Sequence, residues 1–322
     1  MKLVILDGHA LNPGDLSWQC LERFGAVTVY ERTETETETI ARIGDAQIVL
    51  LNKTPITERV LAACPSVRLI CVLATGYNVV DCDAAARRGI PVCNVPGYGT
   101  AAVAQFTFAL LLELCHRVGH HDALVQAGAW SRCPDFCFWD TPQMELAGKT
   151  LGIFGFGSIG RAVGRIGRAF GMEVLACSRS RCPEGEAIGS YVDFPTLLEK
   201  SDVLSLHCPL FPETRRILDG AALSRMKDGA ILLNTARGPL VDEEAVAAAL
   251  VSGKLRGYAA DVVSEEPIRG DNPLLSAPNC VLTPHMAWAP VESRQRILDA
   301  TVRSIQTFLD RGNVPCVNLP EV

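Results

Sequence analysis

The chain has 322 residues, 48% of them hydrophobic and 20% charged, and a formal net charge of −6. That length supports two domains with cores of their own, and the negative balance supplies no field that would hold nucleic acid or an anionic membrane surface. The most apolar run, Phe106 to Cys115, is short and broken by Glu113, so no membrane span is expected.

The N-terminal residues from Met1 to Gly8 run straight into a strand-like segment with no signal-peptide cleavage pattern, which predicts a cytoplasmic protein acting on small molecules. Thirteen cysteines are scattered without a C-x-x-C pair. Cys133 and Cys137 come closest to metal-ligand spacing. The cysteines read as reduced thiols filling small apolar positions, with neither a metal nor a disulfide expected.

In chain order, the first hundred residues alternate strand-like and helix-like segments. Strands are expected at Leu3–Leu6, Val27–Tyr30, Ile48–Leu51 and Leu69–Leu73, and helices near Asp15–Arg23 and Thr57–Ala63. Such alternation predicts a parallel sheet flanked by helices. The Thr/Glu run from Thr33 to Thr39 reads as a solvated turn entering a short helix. Two polar loops, Asn52-Lys53-Thr54 and Ala74-Thr75-Gly76-Tyr77-Asn78, follow strands and so fall at the carboxyl edge, where open parallel sheets bind ligands. Gly76 is equally what a tight turn would need.

Pro96-Gly97-Tyr98-Gly99 marks a boundary, followed by a long apolar helix from Ala101 to about His121. Trp130 to Pro142, rich in Cys, Phe, Trp and Pro, lacks periodicity and reads as either an arm against another subunit or a buried loop. From Thr150 the strand–helix alternation restarts, and its first connection carries Gly155-Phe156-Gly157-Ser158-Ile159-Gly160. In this G-x-G-x-x-G spacing the first glycine permits the turn, the second lets backbone approach a pyrophosphate and the third lets helix and strand pack. The helix N-terminus presents free N–H groups to the phosphates. A final amphipathic helix from Val291 to Asp310 is expected to return to the first domain. The expected domains are therefore residues 1–98 with 289–322, and residues 99–288.

Three polar residues lie just beyond strands of the second domain: Arg237, Glu266 and His285. A parallel sheet would gather them at the edge that holds the glycine turn. Arginine offers a planar fork that matches a carboxylate, histidine exchanges a proton near neutral pH, and a glutamate beside the histidine would orient the ring and balance its charge. Together they suit transfer of a hydride and a proton at a hydroxy acid.

Taken together, the glycine turn, His207-Cys208-Pro209-Leu210 with Thr214, Met226 to Ala230, Asn234 to Gly238, Asp261-Val262 leading to Glu265-Glu266-Pro267, and Asn279 to His285 resemble the D-isomer-specific 2-hydroxyacid dehydrogenase family over essentially the whole chain. The resemblance implies two doubly wound parallel-sheet domains, a flavodoxin-like substrate domain and a Rossmann dinucleotide-binding domain. It also implies a homodimer, with the Ala101–His121 helix and the Trp130–Pro142 arm at the contact and Trp139 able to reach a partner's site. Arg237 would bind the substrate carboxylate and carbonyl, His285 would be the acid/base and Glu266 its support. Thr235, Ala236 and Asp261 would lie near the nicotinamide, and Thr75 and Gly76, with Lys53, would bind substrate. His207, Cys208, Pro209 and Thr214 would line the cofactor groove.

Two departures stand out. At the end of the strand Glu173–Cys177 an acidic residue would bind ribose hydroxyls of NAD(H); Ser178 and Arg179 stand there instead, followed by Arg181, which favours NADP(H) without excluding NAD(H). Trp288 occupies a position where the family commonly has a small residue, and should narrow or reshape the pocket. The expected reaction is reversible reduction of a small 2-oxo acid such as hydroxypyruvate or glyoxylate. A phosphoglycerate dehydrogenase and a cofactor-sensing corepressor are the alternatives.

Overall fold

The computed structural model describes residues 1–312 and 314–319. The chain forms two compact units, Met1–Gly99 with Ala289–Val322, and Thr100–Trp288.

In the first unit, β1 (Lys2–Ile5), β2 (Ala26–Val29), β3 (Ile48–Leu51), β4 (Leu69–Val72) and β5 (Val92–Cys93) form an all-parallel sheet in the order β2-β1-β3-β4-β5. All residues of β3 and β4 are buried, as expected of strands covered on both faces. The Thr/Glu run enters α1 (Glu36–Ile43) through a reciprocal cap: the Thr35 hydroxyl accepts the Glu38 N–H at 3.2 Å and the Glu38 carboxylate accepts the Thr35 N–H at 3.1 Å. α2 (Glu58–Ala63) and α3 (Cys82–Arg87) follow, capped by Thr57 and Asp81.

The helix expected near Asp15–Arg23 is instead a single 3-10 segment, Gln19–Phe24. Asn12 explains the late start, because its side-chain oxygen accepts the N–H groups of Gly14 and Leu16 at 3.0 and 2.9 Å and ties the preceding residues into a turn.

In the second unit, the expected long helix is two. α4 (Thr100–His116) and α5 (Val118–Gln126) are bent by 55° about Arg117, whose φ of +46° is left-handed. The Arg117 guanidinium donates to the Asn279 side chain at 2.7 Å, a tertiary anchor that periodicity does not reveal. Among the described residues no single helix is long and apolar enough to cross a membrane.

Seven parallel strands follow: β6 (Thr150–Phe154), β7 (Glu173–Cys177), β8 (Ser190–Tyr191), β9 (Val203–Leu206), β10 (Ala230–Asn234), β11 (Leu255–Ala260) and β12 (Cys280–Leu282). Between them lie α6 (Ser158–Ala169), α7 (Pro183–Glu186), α8 (Phe194–Lys200), α9 (Gly220–Arg225) and α10 (Glu243–Val251). The sheet order β12-β11-β10-β9-β6-β7-β8 reverses direction between β6 and β9, the switch point at which doubly wound sheets open a ligand crevice. α11 (Val291–Arg311) belongs to the first unit and packs on β4. Both sheets thus have the doubly wound parallel architecture expected from the sequence.

Candidate active site

The glycine turn sits at the carboxyl end of β6, and its three glycines are there for separate reasons. Gly155 has φ +97°, and a Cβ on it would lie 2.4 Å from the Cys208 backbone nitrogen, so this turn packs directly on the loop after β9. At Gly160 a Cβ would meet the Gly155 carbonyl oxygen at 2.3 Å; the third glycine lets α6 approach its own turn. Gly157 differs, since a Cβ there meets no protein atom within 4 Å. It caps α6 with extended backbone and no side-chain hydrogen bond. Open space above an uncapped helix N-terminus is what a pyrophosphate requires, and Phe156, Ser158 and Ile159 complete that segment, Phe156 as a buried anchor.

The next strand brings in the ribose-facing positions. The Gly155 N–H donates to the Cys177 carbonyl at 2.9 Å, which places Ser178 and Arg179 beside the turn. Arg179 lies 4.8 Å over the Phe211 ring and Arg181 5.5 Å over Tyr191. No carboxylate occupies residues 178–181.

Opposite, His207 donates its backbone N–H to the Phe154 carbonyl, and its ring Nε2 is 2.8 Å from the buried Ser205 hydroxyl. Burial pushes the His207 ring down to about 3, so it is neutral at physiological pH. Burial likewise raises the Cys208 thiol to about 11, leaving it an inert wall rather than a nucleophile. Thr214 donates its hydroxyl to the Pro209 carbonyl at 3.0 Å and accepts the Phe211 N–H at 2.8 Å, which folds the loop carrying Phe211.

Arg237, Glu266 and His285 follow β10, β11 and β12, three adjacent parallel strands, so they emerge at one edge of the sheet. His285 Nδ1 is 2.7 Å from Glu266 Oε2. A carboxylate only accepts, so Nδ1 carries the proton and Nε2 is the nitrogen left to exchange one. The loop of Arg237 rests on the loop of Glu266, because a Cβ on Gly238 would lie 1.9 Å from the Val263 carbonyl carbon.

Fully buried Asn234 clasps the arginine loop, donating to the Arg237 carbonyl at 2.9 Å and accepting the Ala236 N–H at 3.1 Å. Arg237 folds back onto the Ala236 carbonyl at 2.6 Å, and the Thr235 and Thr107 hydroxyls are 3.0 Å apart.

Asp261 is buried, and its carboxylate is fully engaged by the loop of His285. Oδ1 accepts from the Thr283 hydroxyl at 2.6 Å and the Met286 N–H at 2.8 Å, and Oδ2 accepts the Ala287 N–H at 2.7 Å. Sequence reading placed Asp261 near the nicotinamide on resemblance alone; only the folded loop reveals these bonds.

In the first unit, Asp7 at the end of β1 was not singled out from the sequence. Its carboxylate accepts the backbone N–H groups of Asn52, Lys53 and Thr54 at 2.7, 2.6 and 2.8 Å and so sets the loop carrying Lys53. Beside it opens a cavity of about 240 Å³ lined by Asp7, His9, Glu31, Arg32, Lys53 and Thr54. Thr75 spends its hydroxyl on the Val95 carbonyl at 2.9 Å, and its own carbonyl accepts from Asn94 at 2.7 Å. The backbone at Gly76 is not left-handed, so turn geometry does not by itself demand a glycine there.

Residues 108–287 match the model of the D-isomer specific 2-hydroxyacid dehydrogenase NAD binding domain. A hydroxypyruvate reductase of Blautia hydrogenotrophica is 53% identical over 99% of this chain and 100% of its own length. The chain belongs to the D-isomer specific 2-hydroxyacid dehydrogenase family. Among solved structures, D-lactate dehydrogenase from Escherichia coli superposes with a TM-score of 0.83 at 31% identity, covering 99% of each chain. An acyclic imino acid reductase in complex with NADPH and D-arginine gives 0.82 at 29% identity, covering 98% of this chain and 100% of that one. As a family member, the chain is an NAD(P)-dependent oxidoreductase that moves a hydride between a nicotinamide cofactor and a 2-oxo or 2-hydroxy acid.

Proposed function

We propose that this dehydrogenase reduces a small 2-oxo acid, hydroxypyruvate or glyoxylate, to the D-hydroxy acid, with NADPH preferred to NADH. The observation that carries the reading is the 2.7 Å His285–Glu266 pair emerging from the same sheet edge as Arg237 and the glycine turn. The high identity to a hydroxypyruvate reductase supports the substrate class.

The nicotinamide supplies the hydride, and the chain supplies the rest. Arg237 holds the substrate carboxylate with its planar fork and stabilises the negative charge that grows on the carbonyl oxygen. His285 delivers a proton to that oxygen from Nε2 while Glu266, bonded to Nδ1, keeps the ring oriented. Lys53 and the backbone N–H groups of Thr75 and Gly76 are the further groups we assign to binding the acid. Ser178 and Arg179 take the 2′-phosphate, which a carboxylate at that strand end would repel.

Three strongly exposed aromatics, Trp130 at 52%, Phe136 at 89% and Trp139 at 66%, support a homodimer built through this arm. The working compartment we assign is the cytoplasm. Initial rates with hydroxypyruvate, glyoxylate, pyruvate and 3-phosphohydroxypyruvate, each with NADPH and NADH, test the proposal. Highest kcat/KM with hydroxypyruvate or glyoxylate and NADPH is expected, and absence of turnover with every pair would overturn it.

A further inference from the structure

His285 is one of four non-glycine residues held at positive φ among the described residues, at +52°. Such backbone is uncommon outside glycine, with asparagine, aspartate and histidine its most frequent exceptions, and it persists only where its surroundings enforce it. The enforcement is visible bond by bond. The His285 N–H donates to the Thr283 carbonyl at 3.0 Å. Asp261 takes the two following amides, Met286 and Ala287, at 2.8 and 2.7 Å. The His285 carbonyl in turn accepts the indole Nε1–H of Trp288 at 2.9 Å. Indole is a donor only, so this bond has a single sense and fixes the direction of the carbonyl. Carbonyl direction and ring direction are set by the same left-handed residue, and the ring is the one whose Nδ1 meets Glu266 at 2.7 Å.

We propose that Trp288 is a positioning residue for the reaction: its indole N–H locks the His285 peptide so that the imidazole stays aligned on Glu266 with Nε2 available for the proton. The bulk of Trp288 is then secondary to its one polar atom. This proposal rests on His285 being the acid/base, and the experiment separates the two.

Trp288→Phe keeps an aromatic ring and removes the N–H; replacing Trp288 with 3-benzothienyl-alanine, sulfur in place of N–H, keeps the full ring outline should the phenylalanine variant fail to fold. Both are compared with His285→Asn and with the double variants, by single-turnover reduction of hydroxypyruvate using NADPH and its 4-deuterated form. A lost neutral hydrogen bond corresponds to about a 3- to 10-fold effect. The expected result is a fall of that size in the hydride-transfer rate, with the NADPH Kd within about twofold of wild type. In the His285→Asn background, removing the N–H should alter the residual rate less than twofold.

If the N–H deletion leaves the rate unchanged and raises only the substrate KM, Trp288 is a pocket wall and the proposal is overturned. An equal fold-loss in both backgrounds overturns it as well, since the effect would not then pass through His285. Full activity of His285→Asn itself would remove the acid/base reading, and this proposal with it.

Discussion

Gly157→Ala separates what the glycine turn does for the fold from what it does for the cofactor. In the protein alone the substitution meets open space, with no atom within 4 Å of the added Cβ and no left-handed backbone to strain. The remaining cost is that of alanine for glycine at a helix N-cap, up to about 1 kcal/mol, or about 2–4 °C in the melting temperature for a unit of this size. Cofactor binding should respond differently. The methyl group stands over the uncapped first turn of α6, so a pyrophosphate pushed outward loses one or two charge-assisted hydrogen bonds at about 1.5–3 kcal/mol each. The expected weakening is at least about tenfold.

The assay is NADPH titration by quenching of protein fluorescence, paired with thermal melts of the apo-protein. Gly160→Ala is the contrast, because its Cβ would lie 2.3 Å from the Gly155 carbonyl oxygen, a backbone atom that cannot swing aside. It should lose about 1–3 kcal/mol of stability as well as affinity. NADPH binding to Gly157→Ala with wild-type affinity would refute the assignment of this space to the pyrophosphate.

Three further outcomes are expected. Ser178→Asp combined with Arg179→Ser should lower the NADPH-to-NADH ratio of kcat/KM by at least about tenfold, the loss of one charged hydrogen bond to phosphate; steady-state rates with both cofactors decide it, and an unmoved ratio contradicts the 2′-phosphate assignment. His207, held neutral at about 3 by burial against 6.5 ordinarily, binds its proton more readily in the unfolded chain, so stability is lost as pH falls from about 6.5 towards 3. Part of the residue's surface stays accessible although its ring is enclosed, so about 2 kcal/mol at pH 5 is an upper bound. Melts of the apo-protein at pH 7 and 5 should show a smaller acid loss for His207→Asn than for wild type; equal losses would contradict the burial argument. Phe136→Asp with Trp139→Asp should convert a dimer to monomer by sedimentation equilibrium, and a wild-type monomer would remove the homodimer altogether.

Much of the fold was legible because parallel strands buried on both faces read as short apolar runs between turn residues. Ile48–Leu51, Val203–Leu206 and Ala230–Asn234 have the expected bounds for that reason. β5 and β8, of two residues each, and the six-residue α9 carry too few side chains to show a period and went unread. The overlong helix failed at Arg117, whose left-handed backbone is bound up with a contact to Asn279 far along the chain.

The candidate site follows the same division. Gly155, Gly157, Gly160, Arg237, Glu266 and His285 stand at strand ends, where chain order alone assigns them to one sheet edge. Asp7, Asn234, Asp261 and Trp288 act by holding loops, and which amide or carbonyl each holds exists only after folding.

The central claim is that His285 exchanges the proton that accompanies hydride transfer. Turnover of hydroxypyruvate by His285→Ala, with the NADPH Kd measured on the same sample, tests it most directly. The account predicts a loss of about 10³-fold or more in kcat with the Kd within about twofold of wild type. Turnover within about tenfold of wild type would contradict it.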